Sequence, residues 1–245
     1  MNKDENPDQP RSTADPVPAS RLQADVRLLL DTIEAGKVAI APLDVAYAVN
    51  ACTEAGIRAI YAAKKRSYEK PGGLFANVAM SRAIHVMEGW KHDLAETIVR
   101  KENIPFSIVA PFRSNHEFFS RVEPFVMASS TKAGTLDMLL NAGQFHNEIA
   151  RQSWQRGLPV FGSSANTSLQ GSKYRYQDIE APVREAASVH FDYGTSRYAN
   201  PQGHSSTIID FRDFTVIRVG VVFDRVAAAF RNHGKVELAL PQPDA

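Results

Sequence analysis

The segment Lys64-Lys65-Arg66-Ser67-Tyr68-Glu69-Lys70-Pro71 places four cations at the predicted end of a helix. Before it, Ile57, Ile60 and Tyr61 recur at i, i+3 and i+4, the spacing of one buried helical face, and Lys64 continues that face at i+7. Because burying an unpaired ammonium is costly, a lysine there must reach water or meet an anion. Cations at a helix end also complement the helix macrodipole, so the segment alone leaves both interpretations open.

Composition favours one globular domain. The chain has 245 residues, of which 44% are hydrophobic and 22% charged. Its 28 Lys and Arg against 27 Asp and Glu give a net charge of +1, so any RNA contact has to be local. The single cysteine, Cys52, excludes an intrachain disulfide and a zinc site built from cysteines. No apolar run approaches the roughly 18 residues of a membrane helix, and no signal peptide is evident, so we expect a soluble, cytoplasmic protein without membrane contact.

Three segments are predicted along the chain. Residues 1–19 contain four prolines and almost nothing large and apolar, which predicts a disordered tail that contributes nothing to folding. Ser20 and Gln23 form a capping pair at the start of the first predicted helix, so we expect the folded domain over residues 20–235. A loose C-terminal tail is expected at 236–245.

Periodicity predicts alternating helices and strands, typical of an α/β fold. Helices are expected over about 20–36, 54–64, 147–156 and 224–231, with two more between 81 and 101. Buried or β-branched runs predict strands at 38–41, 106–110, 159–162, 189–192, 207–210 and 216–219. The last two are too close for an intervening helix and should pair antiparallel. Residues 112–132 are predicted mostly as loop, and 136–140 fit either a strand or a short helix.

Common catalytic motifs do not occur in the sequence. The chain lacks the P-loop, Rossmann and serine-hydrolase signatures, and its seven histidines have no metal-ligand spacing, so no metal site is predicted. The segment Ser163-Ser164-Ala165-Asn166-Thr167-Ser168 directly follows a predicted buried strand, where α/β sheets place ligands. Its short hydroxyl and amide groups suit a phosphate or carboxylate. Alone, the segment is more typical of an ordinary polar turn.

Six segments in order, from about residue 22 to 222, resemble the motifs of the YrdC-like family, whose best-known members are threonylcarbamoyl-AMP synthases. The family segments P-T-D-T-x-Y-G-L, K-x-R with K-P, P-L-T-L-I-L, T-S-A-N-x-S, P-S-T-x-x-D and L-R-x-G correspond here to residues 42–49, Lys64-Lys65-Arg66 with Lys70-Pro71, 105–110, 163–168, 205–210 and 217–220. No single segment is specific, but six in order are.

The departures from the family pattern concentrate on one side of the expected site. Both threonines of the first motif are replaced, by Leu43 and Val45, and its glycine is Ala48. The family's G-T-V-G-V-R-x-P aligns with residues 134–141, so its arginine is replaced by Leu139. The nucleotide side therefore matches the family better than the amino-acid side. We predict a divergent member that handles L-threonine poorly.

The resemblance implies a single twisted sheet of parallel and antiparallel strands, flanked by helices, around a deep cavity. It also implies that L-threonine, bicarbonate and ATP, accompanied by Mg²⁺, are joined into threonylcarbamoyl-AMP and pyrophosphate for the modification of a tRNA adenosine. The implied catalytic residues are Lys64 and Arg66; the implied nucleotide ligands are Lys64, Arg66, Ser107, Ser164, Asn166, Ser206 and Arg218; and the implied amino-acid ligands are Asp44, Tyr47 and Lys70.

Two other functions remain open from the sequence. A paralogous enzyme would adenylate or carbamoylate a different small molecule. A non-catalytic module would use the basic cavity to bind RNA or a nucleotide. Apart from these alternatives, the resemblance implies partners that act in tRNA modification.

Overall fold

The computed structural model describes residues 11–65, 67 and 70–240, and within them one mixed sheet carries helices on both faces. The helices are α1 (Ala19–Glu34), α2 (Glu54–Lys64), α3 (Val78–Ile84), α4 (Gly89–Glu102), α5 (Pro124–Ser130), α6 (Gln144–Arg156), α7 (Ala181–Glu185) and α8 (Phe223–Ala229). The strands are β1 (Ala39–Ala41), β2 (Ala48–Ala51), β3 (Gly73–Ala76), β4 (Phe106–Pro111), β5 (Thr131–Lys132), β6 (Thr135–Leu140), β7 (Phe161–Ser164), β8 (Val189–His190), β9 (Ile208–Asp210) and β10 (Thr215–Arg218). This architecture confirms the predicted fold class.

The sheet runs in the order β10-β9-β4-β6-β3-β7-β2-β1-β8, with β5 paired to β6. Three of its pairs are parallel, namely β1 with β8, β3 with β6 and β4 with β9. Strands β9 and β10 pair antiparallel, as their short separation predicted. The ambiguous segment at 136–140 belongs to β6, which lies between β3 and β4 with five of its six residues buried. Buried strands flanked on both sides read as continuous apolar runs, which is why periodicity alone left this one open.

Successive side chains of a strand point to opposite faces, so the sheet has two cores. On the first face, Leu74, Phe106 and Met138 pack with apolar residues of α2, α3, α4 and α8. On the second face, Phe75 and Leu139 belong to a cluster with residues of α1 and α6. The cavity described below opens on this second face. None of the helices in the described part of the chain is both long and apolar enough to cross a membrane.

Residues 11–18, expected to belong to a disordered tail, lie against the domain. Thr13 is buried, its amide donates to the Thr195 carbonyl at 2.9 Å, and its hydroxyl donates to Asp44 Oδ1 at 2.8 Å. The prediction of disorder rested on the lack of apolar residues to bury. This segment is ordered instead through hydrogen bonds to residues distant in sequence. The structure therefore departs from the prediction here, while residues 1–10 lie outside the described residues.

The C-terminal tail and the region at 112–132 also differ from expectation. The Val216 amide donates to the Ala239 carbonyl at 2.7 Å, so the end of the described chain runs beside β10 and is not loose. Residues 241–245 lie outside the described residues. Helix α5 falls inside the region predicted as loop, with Pro124 in its first turn. At seven residues it is too short for helical periodicity to emerge.

Candidate functional site

A concave cavity on the second face of the sheet contains about 670 Å³ of space, part of it open to solvent. Its walls come from the strands β2, β3, β4, β6, β7, β9 and β10 and from the segments that precede them. The lining residues are Leu43, Val45, Ala46, Tyr47, Ala48, Pro71, Gly73, Phe75, Ser107, Asp137, Leu139, Gly162, Ser163, Ser164, Ser205, Ser206, Ile208 and Arg218.

Strand register sets out the floor of this cavity. Arg218 pairs with Ile208, Ile208 with Ser107, Ser107 with Leu139, and Leu139 with Phe75. Because paired residues on neighbouring strands point to the same face, these five side chains form one row across the sheet. At about 4.8 Å per strand the row spans roughly 19 Å. One end of the row is polar and the other apolar, so different parts of a ligand would meet different chemistry.

The polar end combines one guanidinium with two hydroxyls. Arg218 donates to the Ser206 carbonyl through Nε at 3.1 Å and through Nη2 at 2.8 Å, and its Nη2 lies 3.2 Å from Ser206 Oγ. Ser206 Oγ in turn lies 3.4 Å from Ser107 Oγ. The structure thus brings together three of the predicted nucleotide ligands. A fixed cation beside hydroxyl donors is an arrangement that suits a phosphate.

Three more of the predicted residues meet where β7 ends. Lys64, at the last turn of α2, is buried, and its ammonium donates to the carbonyls of Ser164 and Asn166, the latter at 2.6 Å. The Ser164 hydroxyl donates to Asn166 Oδ1. Ser164 lines the cavity, while Lys64 and Asn166 stand behind it among the described residues. Lys64, on an apolar helical face, therefore has carbonyl oxygens as its partners. Its hydrogen bonds hold the cavity wall at Ser164 in place. Arg66 lies outside the described residues.

The predicted amino-acid ligands do not gather in this cavity. Asp44 faces a second cleft, where it accepts from Thr13 and its Oδ2 lies 4.0 Å from Arg197 Nη1. Burial raises the pKa of Asp44, and the Thr13 hydroxyl and Arg197 oppose that rise. In this structure the docked N-terminal segment engages Asp44, and its role as an amino-acid ligand stays a prediction.

The other two predicted amino-acid ligands, Tyr47 and Lys70, differ in their position relative to the cavity. Tyr47 lines the cavity, but its hydroxyl lies 2.8 Å from both Asp192 Oδ1 and the Gly194 carbonyl, neither of which is a lining residue. The Lys70 side chain is exposed, and its carbonyl accepts from Tyr61 at 2.8 Å. Among the described residues of this segment, Pro71 lines the cavity.

Asp137 is a residue of the site that the sequence reasoning missed. It lies on β6 two residues before Leu139, hence on the same face, and it lines the cavity. Burial raises the pKa of Asp137 to about 6, although Arg218 and the Ser107 hydroxyl lower it. Its Oδ1 atom is buried and has no hydrogen-bond partner in the described part of the chain. An acid inside the apolar run at 135–140 was the available signal, but its face was unknown while the segment was not assigned as a strand.

The fold and the cavity define an α/β domain with a concave cavity on one face of a mixed sheet. A family model described as Telomere recombination, covering the Sua5, YciO and YrdC proteins, matches residues 31–220. The chain belongs to this Sua5/YciO/YrdC family, which confirms the resemblance seen in its motifs. A search of the curated proteins found no match to the chain.

Solved structures share the fold at low sequence identity. The protein smu.1377c from Streptococcus mutans UA159 superposes with a TM-score of 0.74 and 16% identity, over 89% of this chain and 95% of that one. P. abyssi Sua5 complexed with L-threonine superposes with a TM-score of 0.68 and 16% identity, over 94% of this chain and 62% of the Sua5 chain. Full-length HypF in its phosphate- and nucleotide-bound form superposes with a TM-score of 0.60 and 13% identity, over 80% of this chain and 29% of the HypF chain. The chain thus spans about three fifths of the Sua5 chain, and at these identities the likeness shows the fold alone.

Proposed function

We propose that this chain binds ATP in the cavity and transfers AMP to a carbamate formed from bicarbonate and a small amine. The observation that carries the proposal is that Ser107, Ser206, Arg218 and Ser164 line one cavity. Two relatives of the same fold support it, because Sua5 was solved with L-threonine and HypF with phosphate and a nucleotide. In threonylcarbamoyl-AMP synthases the amine is L-threonine and the product serves tRNA modification, so a tRNA-modifying partner belongs to the proposal.

The chemistry requires charge stabilisation more than a single acid or base. The amine and bicarbonate give a carbamate and water, and a carbamate oxygen then attacks the α-phosphorus of ATP while pyrophosphate leaves. Negative charge develops on the phosphate oxygens and on the leaving group, where fixed cations and hydrogen-bond donors are most effective. Arg218 supplies such a cation at one end of the cavity, and the Lys64 ammonium, which donates to the Ser164 and Asn166 carbonyls, adds positive charge behind the β7 end. The Ser164 hydroxyl would donate to a phosphate once it turns away from Asn166 Oδ1. Mg²⁺ is expected to enter with ATP, held chiefly by the phosphates and by water.

The acceptor amine is proposed to differ from L-threonine. Leu43, Val45 and Leu139 all line the cavity, where the family has two threonines and an arginine. A pocket that recognises a hydroxyl or a carboxylate does so through buried polar groups, and losing those groups removes most of the preference. The carbamoyl-adenylate chemistry and the choice of amine are therefore separate parts of the proposal.

Bicarbonate-dependent exchange of pyrophosphate into ATP tests the proposed reaction. The purified chain is incubated with MgATP, labelled pyrophosphate, bicarbonate and a panel of amines that includes L-threonine. We expect exchange that requires bicarbonate and one class of amine, and that is weak with L-threonine. Direct titration with ATP serves as the control, since binding without exchange for any amine would indicate a nucleotide-binding module. Absence of ATP binding would refute the proposal altogether.

A further inference from the structure

The Asp137 carboxylate is a polar group that the proposed ATP chemistry does not use. It faces the cavity from the centre of the sheet, and its buried Oδ1 has no partner in the described part of the chain. Gly73 lies beside it on β3, where an added Cβ would stand 3.3 Å from Asp137 Oδ2. Burying a carboxylate oxygen without a hydrogen-bond partner costs free energy. Such an atom in a folded protein therefore calls for an explanation, and a bound ligand is one.

The surroundings of Asp137 identify what could bind. Along the floor Phe75 and Leu139 are apolar, and Leu43 and Val45 line the cavity as well. The charged residue among the other lining residues is Arg218, which lies three strands away from Leu139 in the row and donates to Ser206. Arg218 is close enough to lower the pKa of Asp137, but Asp137 Oδ1 has no hydrogen-bond partner among the described residues. In the proposed function Arg218 meets the phosphates of ATP, so Asp137 is the charged group left for the amine. Such a site attracts a cationic nitrogen and repels a carboxylate.

We propose that Asp137 pairs with a cationic nitrogen of the substrate, so that this end of the cavity selects small amines lacking a carboxylate over amino acids. The inference rests on the proposed function, because it names the substrate class of the same site. An ammonium carried on a short aliphatic skeleton fits both the acid and its apolar neighbours. An amino acid would bring its own carboxylate into a region that already holds one.

Magnesium is the main competing partner for this carboxylate. Mg²⁺ prefers octahedral oxygen coordination and usually binds through one or two carboxylates together with water and substrate phosphates. The described residues contain no group of three or more His, Cys, Asp or Glu side chains placed to hold a metal ion. The apolar neighbours of Asp137 favour an organic cation, and the experiment includes a magnesium arm to separate the two.

The test compares two probes that differ only in the carboxylate. L-Threoninol has a hydroxymethyl group where L-threonine has its carboxylate, and both carry an ammonium at neutral pH. Each is titrated calorimetrically into the full chain without ATP or bicarbonate. The pH is about 7.5, so that the Asp137 carboxylate is ionised. We expect L-threoninol to bind at least tenfold more tightly than L-threonine. We expect Asp137→Asn to lose at least tenfold in threoninol affinity, and the surface control Asp224→Asn to lose nothing.

Four results would overturn the inference: equal affinity for the two probes, unchanged threoninol affinity in Asp137→Asn, no threoninol binding at about 10 mM, or MgCl₂ binding that Asp137→Asn abolishes. Circular dichroism of the variant checks that it folds, and asparagine keeps the shape of aspartate. ATP titration of the same samples separates this inference from the proposed function. If ATP binds but the amine preference is absent, only the inference fails.

Discussion

The two ends of the cavity floor differ in both their chemistry and their likeness to the family. At the Arg218 end, a guanidinium and the hydroxyls of Ser107 and Ser206 correspond to family motifs and lie within hydrogen-bond reach of one another. Phe75 and Leu139 form the other end, and near them lies the Asp137 carboxylate, which the family pattern does not contain and which Arg218 and Ser107 also influence. One sheet thus presents a polar end that matches the family motifs and an apolar end that departs from them, and under the proposed function each end can change without the other.

The largest expected effect is at the polar end. Arg218→Ala removes the guanidinium expected to stabilise phosphate charge, so we predict a loss of about 10²–10³ in kcat/KM for ATP–pyrophosphate exchange. The control Arg100→Ala removes an arginine that is 76% exposed and pairs with Glu96, and it should change nothing. Arg66 is implied as a nucleotide ligand by the family motif, so Arg66→Ala should also weaken ATP binding while the fold remains intact. Full activity in Arg218→Ala would remove the distinction between the two ends.

The next effect is on stability and comes from Asp137. The pKa of Asp137 is raised to about 6 from its ordinary 3.8, so between about pH 4 and pH 6 the folded protein holds a proton that the unfolded chain has lost. The free energy of unfolding of wild type relative to Asp137→Asn is therefore highest below about pH 4. It falls as the pH rises through about 6, by up to about 3 kcal/mol.

Urea unfolding at about pH 4, 5, 6 and 7 measures this difference. The groups facing Asp137 are Arg218 and the Ser107 hydroxyl, and neither titrates in that window. His85 and His146, whose pKa values burial lowers to about 4, titrate there but are present in both proteins. A constant difference between wild type and Asp137→Asn across the range would show that the carboxylate is neutral or paired throughout.

The third effect exchanges the specificity of the apolar end. Val45→Thr with Leu139→Arg restores two family residues, and we predict that L-threonine-dependent pyrophosphate release rises about tenfold or more. The guanidinium introduced by Leu139→Arg would lie on the same strand face as Asp137, so part of its charge would be neutralised. Adding Asp137→Gly should therefore raise threonine use further. If wild type already uses L-threonine rapidly, the two ends do not differ in specificity and threonylcarbamoyl-AMP synthesis is the simpler assignment.

The smallest effect contrasts Asp137 with Asp44, a carboxylate whose side chain is buried. Asp44 already has a partner, because Thr13 donates to it at 2.8 Å. Thr13→Val keeps the shape and removes that donor, so we expect a loss of about 1–2 kcal/mol in the free energy of unfolding. Thermal unfolding of this variant, and of chains lacking residues 1–10 or 1–18, provides the measurement. If these proteins all melt at the same temperature as wild type, the N-terminal segment does not contribute to stability, as the sequence predicted.

The fold was largely predictable from the sequence because its signals are local. Helix α2 begins and ends where its apolar spacing and cation run indicated, and the antiparallel β9–β10 pair followed from a short connection. The polar motifs also marked residues that do line the cavity. What could not be predicted were partners distant in the chain. Lys64 meets Ser164 one hundred positions away, and Asp44 meets Thr13 across thirty-one, and neither separation leaves a trace in periodicity.

The Lys64 ammonium fixes Ser164 and Asn166, while the chain that leaves Lys64 returns to the cavity at Pro71. The last turn of α2 thus holds the cavity wall at Ser164. A rotation of that turn would draw the ammonium away from both carbonyls and shift the serine hydroxyl that lines the cavity. The position of one cavity-lining hydroxyl is therefore set by a helix end that lies one hundred positions away in the chain.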